Sequence, residues 1–308
     1  MPKKHKIQNR ETFFGLRSST AEEHFVVVGI PWDATTSYEY GAAAGASAIR
    51  SASRLHNRFT EEGVDLATSW RVCDHGNIKL RNDLSRISEL EEAVRSRVNL
   101  HNHRDPAVLF LGGDHFVTYP SFCVTAETQK RPLSLLYFDA HPDLHPSYRG
   151  SQYSDATVVS RILERKQLTS GLVCYVGIRA STAEQEQRIK DFGLSAFTSR
   201  DVYKQGCETI STRLKSILSN EPVYVSIDLD CMDPAFAPGT GLPQAGGLSS
   251  RQLMDILHGI KGLEIVGADI VEYEPASDSP AYIHGRRTGL LACILIKELM
   301  GIMARPTS

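Results

Sequence analysis

Six short apolar runs, rich in β-branched residues, recur along the chain and constrain its fold more than any other feature. They span residues 25–30, 107–111, 134–138, 172–178, 222–227 and 264–271. Continuous runs of this kind are typical of strands that are buried on both faces, as in a parallel sheet. Segments with helical spacing lie between them, such as AEQEQRIKDF after Thr182 and RQLMDILHGI after Ser249-Ser250. The alternation predicts an α/β fold of three layers, with helices on both faces of a central, mainly parallel sheet.

Polar motifs follow four of these runs directly. GGDH ends at His115, DAHPD spans residues 139–143, DLD spans residues 228–230, and EYEP begins at Glu272. Because functional groups of a parallel sheet gather beyond the carboxyl ends of its strands, we expect these motifs to meet at one edge.

The spacing within two of the motifs predicts a metal centre. Residues two apart in an extended stretch point the same way, so Asp139, His141 and Asp143 would face one cavity, as would Asp228 and Asp230. Four carboxylates that close together repel each other. Two divalent cations would balance their charge, and mixed Asp and His donors suit manganese. His115 would supply the last ligand.

Each motif, taken by itself, also has a purely structural explanation. A single DxD or DxHxD is often only a solvated turn or a helix-capping cluster. Three such segments, each directly after a buried strand, favour the metal centre instead.

Composition narrows the function classes further. With 41% hydrophobic residues, 23% charged residues and a net charge of -2, the 308-residue chain has no long-range attraction for nucleic acid. No apolar stretch follows the basic residues 1–6, and residues 289–303 are too short to span a bilayer, so no membrane segment is predicted. Six cysteines without a CxxC pair indicate the reducing cytoplasm. We predict one domain over residues 1–308, with residues 1–20 as an N-terminal extension that is either flexible or an oligomer contact.

The segments GGDH, DAHPD and SIDLDCMDPAFAPGTG strongly resemble those of the ureohydrolases, the arginase and agmatinase family. The resemblance continues through TSYEYGAAAGASAIRSAS, VGIR, VEYEPASD and TGLLACILIKELM, and so covers nearly the whole chain. The run DPAFAPGTG is especially similar to the agmatinase branch.

This resemblance implies an arginase-like fold and two Mn²⁺ ions per subunit. One ion would be held by His115, Asp139, Asp143 and Asp228, and the other by Asp139, His141, Asp228 and Asp230. Nickel, cobalt and zinc suit the same donors. A water between the ions would attack the substrate's guanidinium carbon, Glu272 would hold the guanidinium group, and Asp230 would pass a proton to the leaving amine.

The reaction implied is the hydrolysis of a guanidino compound to an amine and urea, agmatine to putrescine as in polyamine biosynthesis. The resemblance also implies a homo-oligomer, either a trimer or a hexamer, with no membrane or nucleic-acid partner.

The chain departs from the family pattern at one position near the ligands. Asp155 stands where the family usually has a histidine that shuttles protons or orients the substrate. An Asp there could bind a cationic group, so Asp155 joins Asp230 and Glu272 as a candidate catalytic residue, and Glu272 and His145 as a candidate substrate contact. His145 is either a replacement shuttle or an exposed loop residue. The loop LHPSYRGSQ replaces the Asn-rich loop of arginases, although Arg149 within it could meet the carboxylate of a guanidino acid.

Several other functions compete with the agmatinase hypothesis. Within the family they are another guanidino-acid ureohydrolase, an arginase, a formiminoglutamase-like enzyme, or a catalytically silent metal-binding member. A single-zinc deacetylase of the related fold would hold one metal per subunit. A nucleotide-binding module is disfavoured, because no GxGxxG motif follows the first strand and no P-loop lysine is present.

Overall fold

Eight parallel strands form one sheet in the computed structural model, which describes residues 13–16, 25–99, 106–278 and 287–303. The order across the sheet is β2-β1-β3-β8-β7-β4-β5-β6. The strands are β1 (Phe25–Gly29), β2 (Val72–Asn77), β3 (Ala107–Leu111), β4 (Leu133–Phe138), β5 (Thr169–Ile178), β6 (Ser195–Thr198), β7 (Val223–Asp228) and β8 (Ile265–Val271).

Helices cover both faces of this sheet. They are α1 (Gly45–Ser53), α2 (Leu66–Ser69), α3 (Ile87–Val98), α4 (Thr118–Gln129), α5 (Val158–Glu164), α6 (Ala183–Asp191), α7 (Ser199–Gln205), α8 (Cys207–Leu218), α9 (Ser250–Gly259) and α10 (Arg287–Met303). Strand β1 shows how the sheet supports two cores. Phe25 and Val27 pack into one core with α1, α8, α9 and α10, whereas Val26 and Val28 pack into the other with α3, α4 and α5. The predicted three-layer α/β fold is confirmed.

All six predicted strands are present, and no end differs by more than three residues from the predicted one. Two strands, β2 and β6, were not predicted. Both lie at the edges of the sheet, where a strand has only one neighbour. Half of the residues of β2, VCDHGN, are polar and the strand is only partly buried, and β6 has four residues. Neither strand therefore contains the continuous apolar run that marks the central strands.

The two predicted helix starts are also present, and each has a capping box. Thr182 Oγ1 accepts a hydrogen bond from Gln185 N, and Gln185 Oε1 accepts one from Thr182 N. Ser249 and Gln252 make the same pair of contacts at the start of α9. A side-chain oxygen here satisfies backbone N–H groups that the first helical turn leaves without partners, which is why these residue types mark the starts in the sequence.

Part of the predicted N-terminal extension belongs to the core. Phe13, Phe14 and Leu16 are buried, and Phe14 N donates to Ser53 Oγ of α1 at 3.3 Å. Residues 1–12 and 17–24 lie outside the described residues. Within the described part of the chain, no helix combines the length and the apolar character that a membrane crossing requires.

Candidate metal centre

Four neighbouring strands bring the polar motifs to one edge of the sheet. β3, β8, β7 and β4 are consecutive in the strand order. Across the sheet, His115 lies in the turn after β3 and Glu272 follows β8. Asp228 ends β7 and Asp139 follows β4. The structure therefore gathers at one site the motifs that the sequence places after separate strands.

The turn after β3 passes directly over the backbone of Trp32. Asp114 N donates to Trp32 O at 2.8 Å. A Cβ atom on Gly113 would lie 1.7 Å from the same oxygen, so only glycine fits there. Asp114 Oδ1 then accepts a hydrogen bond from Phe116 N at 3.1 Å, which caps the next turn. These contacts fix the backbone of His115.

Three carboxylates surround one ring nitrogen of His115, whose side chain is 1% exposed. His115 Nδ1 lies 3.0 Å from Asp139 Oδ2, 3.0 Å from Asp228 Oδ2 and 3.3 Å from Asp143 Oδ2. A ring nitrogen carries at most one proton, which cannot serve three acceptors at once. The buried Asp139 Oδ2 in fact has no hydrogen-bond partner. We call these four residues the inner cluster, and its unpartnered oxygen fits a bound cation.

A second group of donors lies nearer the solvent and shares Asp139 with the first. His141 Nδ1 lies 2.9 Å from Asp230 Oδ2 and 3.4 Å from Asp139 Oδ1. The His141 side chain is 22% exposed. We call Asp139, His141 and Asp230 the outer cluster. Asp139 directs Oδ2 to the inner cluster and Oδ1 to the outer one, so the two clusters are adjacent.

The pKa shifts in both clusters indicate an excess of negative charge. Burial raises the pKa of the Asp228 carboxyl well above its ordinary value, and the nearby Asp230 and Asp139 raise it further. Burial, followed by Asp139, also raises the pKa of Asp230. Burial alone would lower the pKa of His141, but Asp230 and Asp139 outweigh it and raise this pKa to about 12. Divalent cations would supply the charge that the clusters otherwise obtain from protons.

The donor sets are chemically suited to such cations. In each cluster a histidine nitrogen and two carboxylate oxygens lie within 4.8 Å of one another, those of His115, Asp139 and Asp228 in the inner cluster and those of His141, Asp139 and Asp230 in the outer one. Manganese, zinc and related divalent ions accept this mixture of donors. Asp228 Oδ1 accepts a hydrogen bond from Asp230 N at 2.7 Å, so Asp228 also borders the outer cluster. The six predicted ligands are therefore together at one site.

A buried hydrogen-bonded chain supports the inner cluster from below. His115 Nε2 lies 2.9 Å from Ser226 Oγ, and Ser226 Oγ donates to Asp269 Oδ1 at 2.6 Å. Asp269 Oδ2 accepts a hydrogen bond from Tyr224 OH at 2.7 Å. Partners of this kind fix the ring orientation of a metal-ligating histidine.

Tyr137 supports the same cluster from the side. Its hydroxyl donates to Asp143 Oδ2 at 2.7 Å, and its ring stacks on that of His115 with 4.4 Å between centroids. Sequence reasoning missed both Tyr137 and Ser226. A signal was present, because each lies two residues before a predicted ligand, and side chains on the same face of a strand recur at that spacing.

A cavity of about 210 Å³ opens above the two clusters. Besides the cluster residues, its walls are formed by Thr36, Ser37, Tyr38, His145, Tyr148, Asp155, Ala156, Ala180, Thr182, Gln185, Thr240, Gly241, Leu242 and Glu272. None of the described residues that line it is a lysine or an arginine.

Glu272 lies at the boundary between the cavity and the inner cluster. Its Oε1 accepts a hydrogen bond from His115 N at 2.6 Å, and its backbone has a positive φ of 59°. Burial raises the pKa of the Glu272 carboxyl well above its ordinary value, and the nearby Asp228 and Asp155 raise it further. A carboxyl group held this way would gain from a cationic partner in the cavity.

Asp155 and His145 both line the cavity, as the sequence hypothesis requires of substrate contacts. Asp155 Oδ1 accepts hydrogen bonds from Ala156 N and Ser154 Oγ, both at 2.7 Å. His145 Nδ1 lies 3.9 Å from Glu184 Oε2. The His145 side chain is mostly buried at the cavity wall. This position argues against the alternative that His145 is an exposed loop residue.

Arg149 is placed differently from the sequence hypothesis. It is not among the residues that line the cavity. Its Nη1 donates to Ser37 O at 2.9 Å, and its guanidinium group lies 5.4 Å from the centroid of the Tyr148 ring. In this position its guanidinium group contacts the backbone of Ser37 and the ring of Tyr148.

Comparisons with known proteins agree with the geometry. The arginase family model matches residues 23–301. The guanidinopropionase of Pseudomonas aeruginosa is 32% identical over 290 residues, which cover 90% of this chain and 86% of that protein. An agmatinase of Escherichia coli is also 32% identical, over 289 residues that cover 92% of this chain and 89% of that protein.

Solved structures show the same likeness. The crystal structure of a hypothetical agmatinase from Burkholderia thailandensis superposes with a TM-score of 0.83 at 30% sequence identity. The match covers 96% of this chain and 91% of that one.

Proposed function

Because the chain belongs to the arginase family, we propose that it is a binuclear manganese hydrolase that cleaves a guanidino compound to an amine and urea, with agmatine as the favoured substrate. The observation that carries the proposal is the pair of clusters joined through Asp139 at the floor of a cavity, with Glu272 beside them. Its compartment would be the cytoplasm, and its assembly a homo-oligomer.

The proposed ligands are the residues of the two clusters. His115, Asp139, Asp143 and Asp228 would hold one ion, and Asp139, His141, Asp228 and Asp230 the other. Divalent cations at such a site polarise the bound groups and make hydroxide available near neutral pH.

Glu272 would hold the guanidinium group of the substrate. A carboxylate accepts hydrogen bonds from the planar N–H groups of a guanidinium, and this pairing also fixes its plane. Because Glu272 Oε1 is already fixed by His115 N, the group it binds would be oriented relative to the inner cluster. Such positioning of a reacting carbon is a main source of catalytic rate.

Asp230 is suited to move the proton that the reaction requires. When water oxygen bonds to the guanidinium carbon, the bond from that carbon to the substituted nitrogen breaks, and the leaving amine needs a proton. Asp230 Oδ2 lies at the outer cluster and lines the cavity. A carboxyl group there can accept a proton from water and return it to the amine.

The charge of the cavity supports a substrate with a cationic tail. Two divalent ions would neutralise the four Asp ligands, which leaves Glu272 and Asp155 as further carboxylates at the cavity. None of the described lining residues is a lysine or arginine that could pair with a substrate carboxylate. A dication such as agmatine fits this balance better than a guanidino acid.

A guanidino acid is the second candidate, and a specific observation favours it. The guanidinopropionase and the agmatinase are equally similar to this chain, at 32% identity, so overall similarity does not select between their substrates. His145 lines the cavity and could offer a proton donor to a carboxylate.

Urea release from the manganese-loaded protein tests the proposal directly. The panel contains agmatine, arginine, 3-guanidinopropionate and 4-guanidinobutyrate, with formiminoglutamate assayed for formamide. We expect kcat/KM for agmatine to exceed that for each acid. A higher kcat/KM for an acid would reject agmatine but keep the reaction class, whereas no turnover of any compound would reject the enzyme hypothesis.

A further inference from the structure

One wall of the cavity is a backbone segment, residues 36–38, that contains no residue of either cluster. At its centre, both backbone polar groups of Ser37 are hydrogen-bonded to charged side chains. Ser37 N donates to Asp155 Oδ2 at 2.7 Å, and Arg149 Nη1 donates to Ser37 O at 2.9 Å. We call this arrangement the Ser37 clamp. A carboxylate at the Ser37 N–H and a guanidinium at the Ser37 C=O each complement the dipole of one of the two peptide groups that flank Ser37, and both hydrogen bonds are charge-assisted.

The loop that carries the clamp is itself fixed to a segment of the metal centre. His145 N donates to Ala156 O, and Val159 N donates to Asp143 O, both at 3.1 Å. Asp155 N also donates to Thr35 O at 3.2 Å. The clamp therefore connects the cavity wall to the backbone of Asp143, a residue of the inner cluster.

The hydrogen bonds of Asp155 leave little of its acceptor capacity for a proton-transfer role. Its Oδ1 accepts from Ala156 N and Ser154 Oγ, and its Oδ2 accepts from Ser37 N. These three donors, two of them backbone groups, fix the orientation of the carboxylate. A histidine at this position would offer at most one acceptor nitrogen in place of two oxygens.

We propose that Asp155 and Arg149 are positioning residues that hold residues 36–38 at a set distance from the metal centre and thereby determine which substrate tails bind. A guanidinium group at Glu272 would extend its tail along this wall, where the Tyr38 side chain is 59% exposed. A wall displaced by about 1 Å would change the contacts of the tail. The substrate part of this inference rests on the proposed function, whereas the clamp itself does not.

Asp155 and Arg149 carry opposite charges. Variants of the two residues can therefore distinguish positioning of the cavity wall from direct attraction of a cationic substrate tail. If Asp155 acted only by attracting a cationic tail, Arg149→Ala would remove a repelling charge and would lower KM for agmatine or leave it unchanged. If the clamp positions the wall, Asp155→Ala and Arg149→Ala both raise KM.

The experiment compares full-length, manganese-loaded variants in two assays. In the first, we expect each alanine variant to raise KM for agmatine about tenfold with a smaller change in kcat, and the double variant to raise it little further. Asp155→Asn replaces one carboxylate oxygen by an NH2 group, which has to face the N–H of either Ser37 or Ala156, so we expect this variant to raise KM as well. A lower or unchanged KM in Arg149→Ala would overturn the proposal.

The second assay needs no substrate. Hydrogen–deuterium exchange of peptides that contain Ser37 should become faster in Arg149→Ala as well as in Asp155→Ala, because each variant releases a backbone hydrogen bond of Ser37. The matched control is Arg131→Ala, which removes an exposed arginine paired with Glu264 and should leave this exchange unchanged. If the parent protein releases no urea, the proposed function fails, and the exchange measurement still decides the clamp. Unchanged exchange in Arg149→Ala would reject the clamp by itself.

Discussion

The inner and outer clusters share Asp139 but are built in different ways. The histidine of the inner cluster, His115, is 1% exposed, stacks on Tyr137 and contacts Ser226 through its second ring nitrogen. The histidine of the outer cluster, His141, is 22% exposed and borders the cavity. Both clusters line the cavity, but the residues of the inner cluster have buried side chains behind them that fix their orientation, whereas the outer histidine is more exposed.

This difference indicates that the two clusters have different roles. Metal ligands whose partners are buried and hydrogen-bonded keep their geometry when a substrate binds and leaves. Ligands at the cavity surface can exchange contacts with the reacting groups. We therefore expect substitutions below the inner cluster to act on metal binding, and substitutions in the outer cluster to act on metal binding and proton transfer together.

The largest effect should come from the residue that the clusters share. Asp139→Ala removes a donor from both clusters, so we expect the loss of both ions and a fall in kcat on the order of a thousandfold or more. Asp230→Ala removes a donor and a proton acceptor from the outer cluster only. We expect similar loss of activity but retention of about one ion per subunit, measured by elemental analysis of the purified variants.

Equal metal content in the Asp139 and Asp230 variants would contradict the separation into two clusters. Unchanged urea release in Asp230→Ala would contradict its assigned role. Circular dichroism spectra of both variants would show whether the fold is retained.

A smaller effect should follow from removing the hydroxyl that supports the inner cluster. Tyr137→Phe deletes the hydrogen bond to Asp143 but keeps the ring that stacks on His115. We expect the affinity for one of the two ions to fall roughly 10–100-fold, as is usual when a partner of a metal ligand is lost, with the other ion unaffected. Titration of the metal-depleted protein with manganese measures both affinities.

The matched control is Tyr175→Phe. This second buried tyrosine packs edge-on against Tyr137, and its hydroxyl donates to Pro142 O rather than to a carboxylate. A loss of metal affinity as large as that of Tyr137→Phe would mean that core packing, and not the contact with Asp143, supports the site.

The smallest effect should be on how stability depends on pH. Without metal, the folded protein raises the pKa of the Asp228, Asp230 and Glu272 carboxyls by burial, and that of His141 to about 12 by its neighbours. These groups return to ordinary values near 4 and 6.5 on unfolding. The metal-free protein therefore binds more protons when folded, and its free energy of unfolding falls as pH rises from about 6 to 9.

Bound cations replace those protons, so the manganese form should show a weaker dependence over the same range. Thermal denaturation with EDTA and with manganese measures the two curves. A metal-free form that becomes more stable between pH 6 and 9 would refute the assigned directions of the pKa shifts.

Much of the fold and of the metal centre was predictable from local patterns. The central strands are buried on both faces, so their apolar runs are continuous and recognisable, whereas the edge strand β2 contains Asp74 and His75 and has no such run. The candidate ligands repeat at two-residue spacing directly after strands, and the structure brings them together in two adjoining clusters. Asp269 was not predicted, because a single carboxylate inside an apolar strand gives no indication of its partner.

The sequence by itself determined the layered α/β architecture and predicted the six candidate donor residues, because both depend on local patterns of a few residues. Only the tertiary structure decided what surrounds those donors. Ser37 and Asp155 are 118 positions apart, and His115 and Ser226 are 111 apart, so neither contact has a local signal. Such pairs form because helices packed on both faces of the sheet bring distant loops to the same edge. For this reason the candidate metal ligands were predictable from the sequence, and the hydrogen bond of Asp155 at the cavity wall was not.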